Sequence, residues 1–141
     1  VGPYGYCADI SRTFVVGNKF SDEQKKLYKM ALEQINHNSR LIKDGLSFEE
    51  FTKKSWNLPK EYYPNRYSVM VHGIGLCDEW PAIRYPTDGG ERSGVFQKNM
   101  TITVESYIGK VGGKEGVKLE QQYLIGENGL ELMSHHPLEE I

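Results

Sequence analysis

The stretch Val71-His72-Gly73-Ile74-Gly75-Leu76-Cys77-Asp78-Glu79-Trp80-Pro81 sets one imidazole inside an apolar run and places acids just beyond it. Residues 67 to 76 are rich in β-formers and read as a strand, which Pro81 interrupts. An ionisable side chain flanked by Val71 and Ile74 needs a partner if that strand is buried. The same pattern recurs at Asp9 in Tyr6-Cys7-Ala8-Asp9-Ile10-Ser11-Arg12, at Glu105 after Thr103-Val104, and at Glu120 after Lys118-Leu119. Taken singly, each has a plain reading. Asp9 pairs with Arg12, His72 is a satisfied structural histidine, and the two glutamates lie on solvated strand faces. Taken as a set, an Asp, a His and two Glu can share one divalent cation. Oxygen and imidazole donors in this mix suit Mn, Fe, Co or Zn rather than a thiolate-seeking site.

Around these segments the chain falls into helices first and strands after. Residues 9 to 16 predict a strand that Gly17-Asn18 ends. Ser21, with Gln24 three residues on, predicts a capping box. The helix it opens carries Leu27, Met30, Ala31, Ile35, Leu41 and Ile42 at helical spacing, with Gly45 as the stop. Ser47 and Glu50 predict a second, shorter helix toward Trp56, broken at Leu58-Pro59. Residues 86 to 94 read as a loop, and 100 to 108 and 117 to 125 as strands. Asn128-Gly129 is a turn signal, across which 130 to 133 can pair back. This order predicts an α+β domain.

The 141 residues suit one domain with a real core, and a hydrophobic fraction of 38% with 26% charged residues excludes a disordered chain. A net charge of −2 argues against nucleic acid as a partner, since phosphate binding needs a clustered basic excess. No run is long enough for a membrane helix, so no membrane partner is expected. Cys7 and Cys77 make no disulfide framework, and the expected location is the cytoplasm. Cys77 has no evident base partner. His37 lies on the polar side of the first helix, and His135-His136 point to opposite faces if extended, so neither is expected in a site.

The ordered set Asp9-Ile10-Ser11-Arg12-Thr13, His72-Gly73-Ile74-Gly75-Leu76, Met100 to Glu105, and Gly116-Val117-Lys118-Leu119-Glu120 closely resembles the pita-bread metallopeptidases. These are the methionine aminopeptidases, prolidases and creatinase-like relatives of family M24. The resemblance implies a pita-bread catalytic domain of which residues 1–141 are the C-terminal part. It implies a metal centre, usually dinuclear, with Asp9, His72, Glu105 and Glu120 as ligands. One further Asp ligand, on a preceding strand, and an N-terminal domain would fall before Val1.

The departures from the peptidase pattern point to a different reaction. Peptidases of the family carry a second His where Asp78 stands, and that His contacts the scissile amide or its tetrahedral intermediate. An ionised Asp78 accepts hydrogen bonds and cannot donate one, so it would repel an oxyanion. It is suited instead to take a proton. Glu105-Ser106 and Glu120-Gln121 also differ from the peptidase Glu-Pro and Glu-Asp. This combination resembles the lyase branch of the family, which cleaves dimethylsulfoniopropionate to dimethyl sulfide and acrylate and uses iron. That resemblance implies Asp78 as the general base and a small sulfonium carboxylate as substrate. Tyr67 and Trp80 become candidate aromatic contacts for the sulfonium, although aromatic residues near strands more often serve the core. It also implies a homodimer in full-length form. A prolidase-like hydrolase is the alternative reading, and a metal-free binding module a third.

Overall fold

The computed structural model describes residues 2–17, 19–76, 79–90 and 92–138. Helix α1 (Asp22–Leu41) and helix α2 (Phe48–Lys54) precede five strands: β1 (Val69–Gly73), β2 (Ala82–Arg84), β3 (Thr101–Gly109), β4 (Gly116–Gly126) and β5 (Gly129–Leu132). The strands form one antiparallel sheet in the order β2-β1-β3-β4-β5. The α+β expectation holds.

Both helices start where the sequence places them. Ser21 Oγ accepts from Gln24 N at 3.1 Å while Gln24 Oε1 accepts from Ser21 N at 2.9 Å, a complete capping box. Ser47 caps α2 through Glu50 N at 3.1 Å, but the Glu50 carboxylate turns forward to Lys54 instead of back to the cap. Helix α1 stops at Leu41, short of Gly45. Ile42 is extended and buried, and Gly45 serves the following turn at φ +81° with its N–H on Phe96 O. Strand β2 was not expected from sequence. Its three residues are too few to show a period, and pairing with Val69, Val71 and His72 makes them a strand.

The sheet has two unlike faces. Along β3, Ile102, Val104 and Ile108 belong to the core beneath α1, whose buried residues Leu27, Tyr28, Ala31, Gln34, Ile35 and Asn38 form one stripe. Ser106 shares this face and donates to Gln34 Oε1 at 2.6 Å. The alternate residues Thr101, Thr103, Glu105 and Tyr107 must face the other way. Phe51 plugs the core under α2, edge-on to Phe96 with ring centroids 5.6 Å apart. Because Phe51 is fully buried, Phe51→Ala should cost about 3–5 kcal/mol of unfolding free energy, measurable by urea titration.

Residues 9 to 16 do not form the expected strand. One bridge pairs Ser11 with Glu120 on the outer edge of β4, with Glu120 N on Ser11 O at 3.1 Å. On either side of it, side chains replace the ladder. Thr13 Oγ1 accepts from Lys118 N at 3.0 Å and donates to Lys118 O at 2.8 Å. Asp9 N goes to Gln122 Oε1 at 3.2 Å, while the Gln122 carbonyl accepts from Met133 N at 2.9 Å. The segment is extended, as its β-formers favour, but its backbone partners are taken.

Candidate metal centre

The polar face of the sheet gathers the four expected ligands. Register places Glu105 directly opposite Glu120, and Thr103 opposite both His72 and Gln122. Directly opposed residues share a face, so His72, Glu105 and Glu120 converge. The Ser11 bridge adds Asp9 from the edge, because residues two apart on an extended chain point the same way. His72 Nε2 lies 3.3 Å from Glu120 Oε1, 3.7 Å from Glu105 Oε1 and 3.9 Å from Asp9 Oδ2. One ligand atom from each of Asp9, His72 and Glu120 falls within 4.8 Å of the others. His72, Glu105 and Glu120 are buried, while the Asp9 side chain is 39% exposed at the edge.

Local contacts orient each group. His72 Nδ1 donates to Gly73 O at 2.9 Å, which turns Nε2 toward the acids. Ser11 Oγ donates to Glu120 Oε2 at 2.8 Å. The Lys118 ammonium contacts Glu105 Oε2 and lies 3.7 Å from Glu120 Oε2, so one cation bridges both glutamates. Burial raises the Glu105 carboxyl to about 7 against the opposing pull of Lys118. Burial and the Glu120 charge also raise Asp9. Burial alone would lower the His72 imidazole. The Glu120 hydrogen bond, the Gly73 carbonyl and the two glutamate charges overcome it and push His72 up to about 9. Burial would likewise raise Glu120, but His72, Lys118 and Ser11 hold it below the usual carboxylate range.

Two polar atoms at this face test the fit to a metal. Glu105 Oε1 and Thr103 Oγ1 are buried with no hydrogen-bond partner among the described residues. A buried carboxylate oxygen left open beside an oriented imidazole and two further acids is a donor set that fits a divalent cation.

Arg12 does not pair with Asp9, the plain expectation for that spacing. Its side chain leaves on the opposite face and reaches carbonyl oxygens of Ser11, Glu120, His136 and Pro137. The two arginines that a structural Asp78 could pair with are already engaged. Arg66 grips Asp88 and Arg84 donates to Ser68 Oγ. Cys77 and Asp78 themselves lie outside the described residues. Gly73 and Pro81, described residues on either side, are joined next to His72, with Gly73 N donating to Pro81 O at 2.9 Å. A Cβ on Gly73 would meet Trp80 O at 2.0 Å, so glycine is required for this return.

The two aromatic candidates separate. Tyr67 stands beside the acids, with Lys118 Nζ 4.4 Å from its ring centroid and its hydroxyl 3.4 Å from Glu79 Oε1. Trp80 is 60% exposed and lines clefts with Phe48, Pro81 and Met100, which no acid of the cluster shares. Ser11, Gln122 and Lys118 also serve this face, although no motif of the sequence assigns them a role. Period two would have found them, since Lys118 and Gln122 flank Glu120 on the same face of β4 and Ser11 follows Asp9 by two. His37 is exposed, as expected, with Nε2 on Lys54 O at 2.9 Å.

The profile of metallopeptidase family M24 matches residues 1–127. The chain belongs to that family, and its fold is part of a pita-bread catalytic domain. Among curated relatives, a dimethylsulfoniopropionate lyase DddP from Roseovarius nubinhibens is 36% identical over 99% of this chain and 32% of its own length. A second DddP, from Roseobacter denitrificans, is 34% identical over the same shares. Among solved structures, the prolidase from Pyrococcus horikoshii superposes with a TM-score of 0.80 at 30% identity, covering 97% of this chain and 38% of that one. The chain thus spans about a third of the length of the curated relatives it matches. Among the described residues no helix is long and apolar enough to cross a membrane.

Proposed function

We propose that the protein is a metal-dependent lyase that cleaves dimethylsulfoniopropionate to dimethyl sulfide and acrylate. Asp78 at the position of the peptidase histidine carries this reading, and the 36% identity to a DddP supports it. Asp9, His72, Glu105 and Glu120 hold the metal, iron in this reading, and the full-length protein is a homodimer. When bound, the metal supplies Lewis-acid stabilisation to a substrate carboxylate.

The chain's own residues do the rest. The Asp78 carboxylate removes a proton from the carbon beside the substrate carboxylate. The released electron pair forms the carbon–carbon double bond, and the carbon–sulfur bond breaks with its electrons going to sulfur. Dimethyl sulfide leaves neutral, acrylate remains, and Asp78 returns its proton to solvent. Tyr67, which carries the Lys118 ammonium 4.4 Å from its ring centroid, would offer the sulfonium its other face next to the acids. Trp80 faces clefts that no acid of the cluster shares, so this reading rests its sulfonium contact on Tyr67. Support for Asp78 comes from the flanking residues, since Gly73 N donates to Pro81 O at 2.9 Å next to His72.

A prolidase-like hydrolase is the second reading, favoured by the 30% identity to the P. horikoshii prolidase. Full-length protein given each substrate decides between them. Headspace dimethyl sulfide from the sulfonium substrate, with no cleavage of an Xaa-Pro dipeptide, is the expected result. Dipeptide hydrolysis without dimethyl sulfide would overturn it.

A further inference from the structure

We infer that Arg12 is a positioning residue of the metal centre: it locks the Asp9 segment to β4 and to the chain beyond β5 through backbone contacts, without touching the carboxylates or the imidazole of the cluster. The inference rests on the reading of Asp9, His72 and Glu120 as metal ligands. Asp9 is the most exposed member of that set, and its segment is held by one backbone bridge to β4 and by Cys7 N on Gly75 O at 2.8 Å, which does not reach Glu120. Something other than a ladder must fix its distance to Glu120.

Arg12 spends every donor on that junction. Nη1 donates to Ser11 O at 2.9 Å and to Glu120 O at 2.5 Å. Nη2 donates to Gln121 Oε1 at 3.1 Å and to His136 O at 2.6 Å. Nε donates to Pro137 O at 3.0 Å. All five guanidinium N–H groups are used, on three pieces of chain far apart in sequence. Two of the acceptors are the carbonyls of Ser11 and Glu120, the paired residues of the only bridge that seats Asp9 among the described residues. A lysine at this place has three donors on one atom and cannot span three segments.

The test uses the full-length protein and Mn²⁺ as probe, with its dissociation constant read by chelator competition at 25 °C. Melting of the chelator-treated protein is the second readout. Arg12→Met should weaken Mn²⁺ by about 10–100-fold, the loss typical of an outer partner of a metal site. Arg12→Lys should fall between it and wild type, and it serves as the folded arm if Arg12→Met does not fold. Arg66→Met removes another partly buried clamp, the one on Asp88. It should lower the melting temperature and leave Mn²⁺ affinity within about twofold of wild type.

Wild-type affinity in a folded Arg12→Met or Arg12→Lys protein would overturn the inference. So would an equal loss of affinity in Arg66→Met, which would make the effect one of general stability. Failure of the metal reading is visible separately: wild type would bind no Mn²⁺, or Glu120→Gln would bind it normally. Either result takes the Arg12 assignment with it.

Discussion

Glu120→Gln in the full-length protein should lose most of its bound divalent metal and most of its turnover. Glu120 is buried, 3.3 Å from His72 Nε2, and positioned by Ser11 at 2.8 Å. Glutamine keeps the shape and one carbonyl oxygen but removes the charge that a cation would neutralise. His72 and Lys118 would then face Glu105 and Asp9 with one carboxylate fewer. The fall in metal affinity should exceed the ~10–100-fold cost of losing an outer partner. Elemental analysis after desalting measures it directly. Full occupancy in a folded Glu120→Gln protein would remove Glu120 from the ligand set.

Asp78→Asn should leave metal content near normal and lower turnover by about 10²–10⁴, the contribution typical of a general base. Asparagine preserves size and polarity and cannot take the proton. If Asp78 were structural, activity, metal content and melting temperature would fall together. Near wild-type release of dimethyl sulfide by a folded, metal-loaded Asp78→Asn protein would end the assignment. Asp78→His should abolish lyase activity without creating a peptidase, because Gln121 and the residue after Glu105 also depart from the peptidase pattern.

Features that depend on near neighbours were legible in the sequence. The caps at Ser21 and Ser47 need only the next three residues, and the Asn128-Gly129 turn only its flanking strands. The three acids and the imidazole were legible because each sits in a β-forming stretch at a position where a lone charge is costly. What the sequence does not carry is which distant group takes a given backbone partner. Asp9 to Val16 has the composition of a strand. Whether it becomes one depends on Thr13, Gln122 and Met133 claiming β4's edge, contacts more than 100 residues from Asp9 in two of the three cases. Strand β2 was missed for the same reason, since three residues acquire their identity from β1. Closeness in sequence suggests that Arg12 pairs with Asp9. Their side chains lie on opposite faces, and the guanidinium serves the backbone instead.

The junction at Arg12 also sets an order of events in folding. The β3–β4–β5 meander and the α1 helix close short loops, whereas Arg12 meets His136 and Pro137 across 124 and 125 residues. Closing so long a loop costs entropy that the nearer pairings must first offset. Docking of the Asp9 segment is therefore expected after the meander has formed, so that metal capture follows folding rather than guiding it. In stopped-flow refolding of the full-length protein, Mn²⁺ uptake should coincide with the slowest phase. Uptake in the earliest phase would reverse that order and make the cation a template for the sheet.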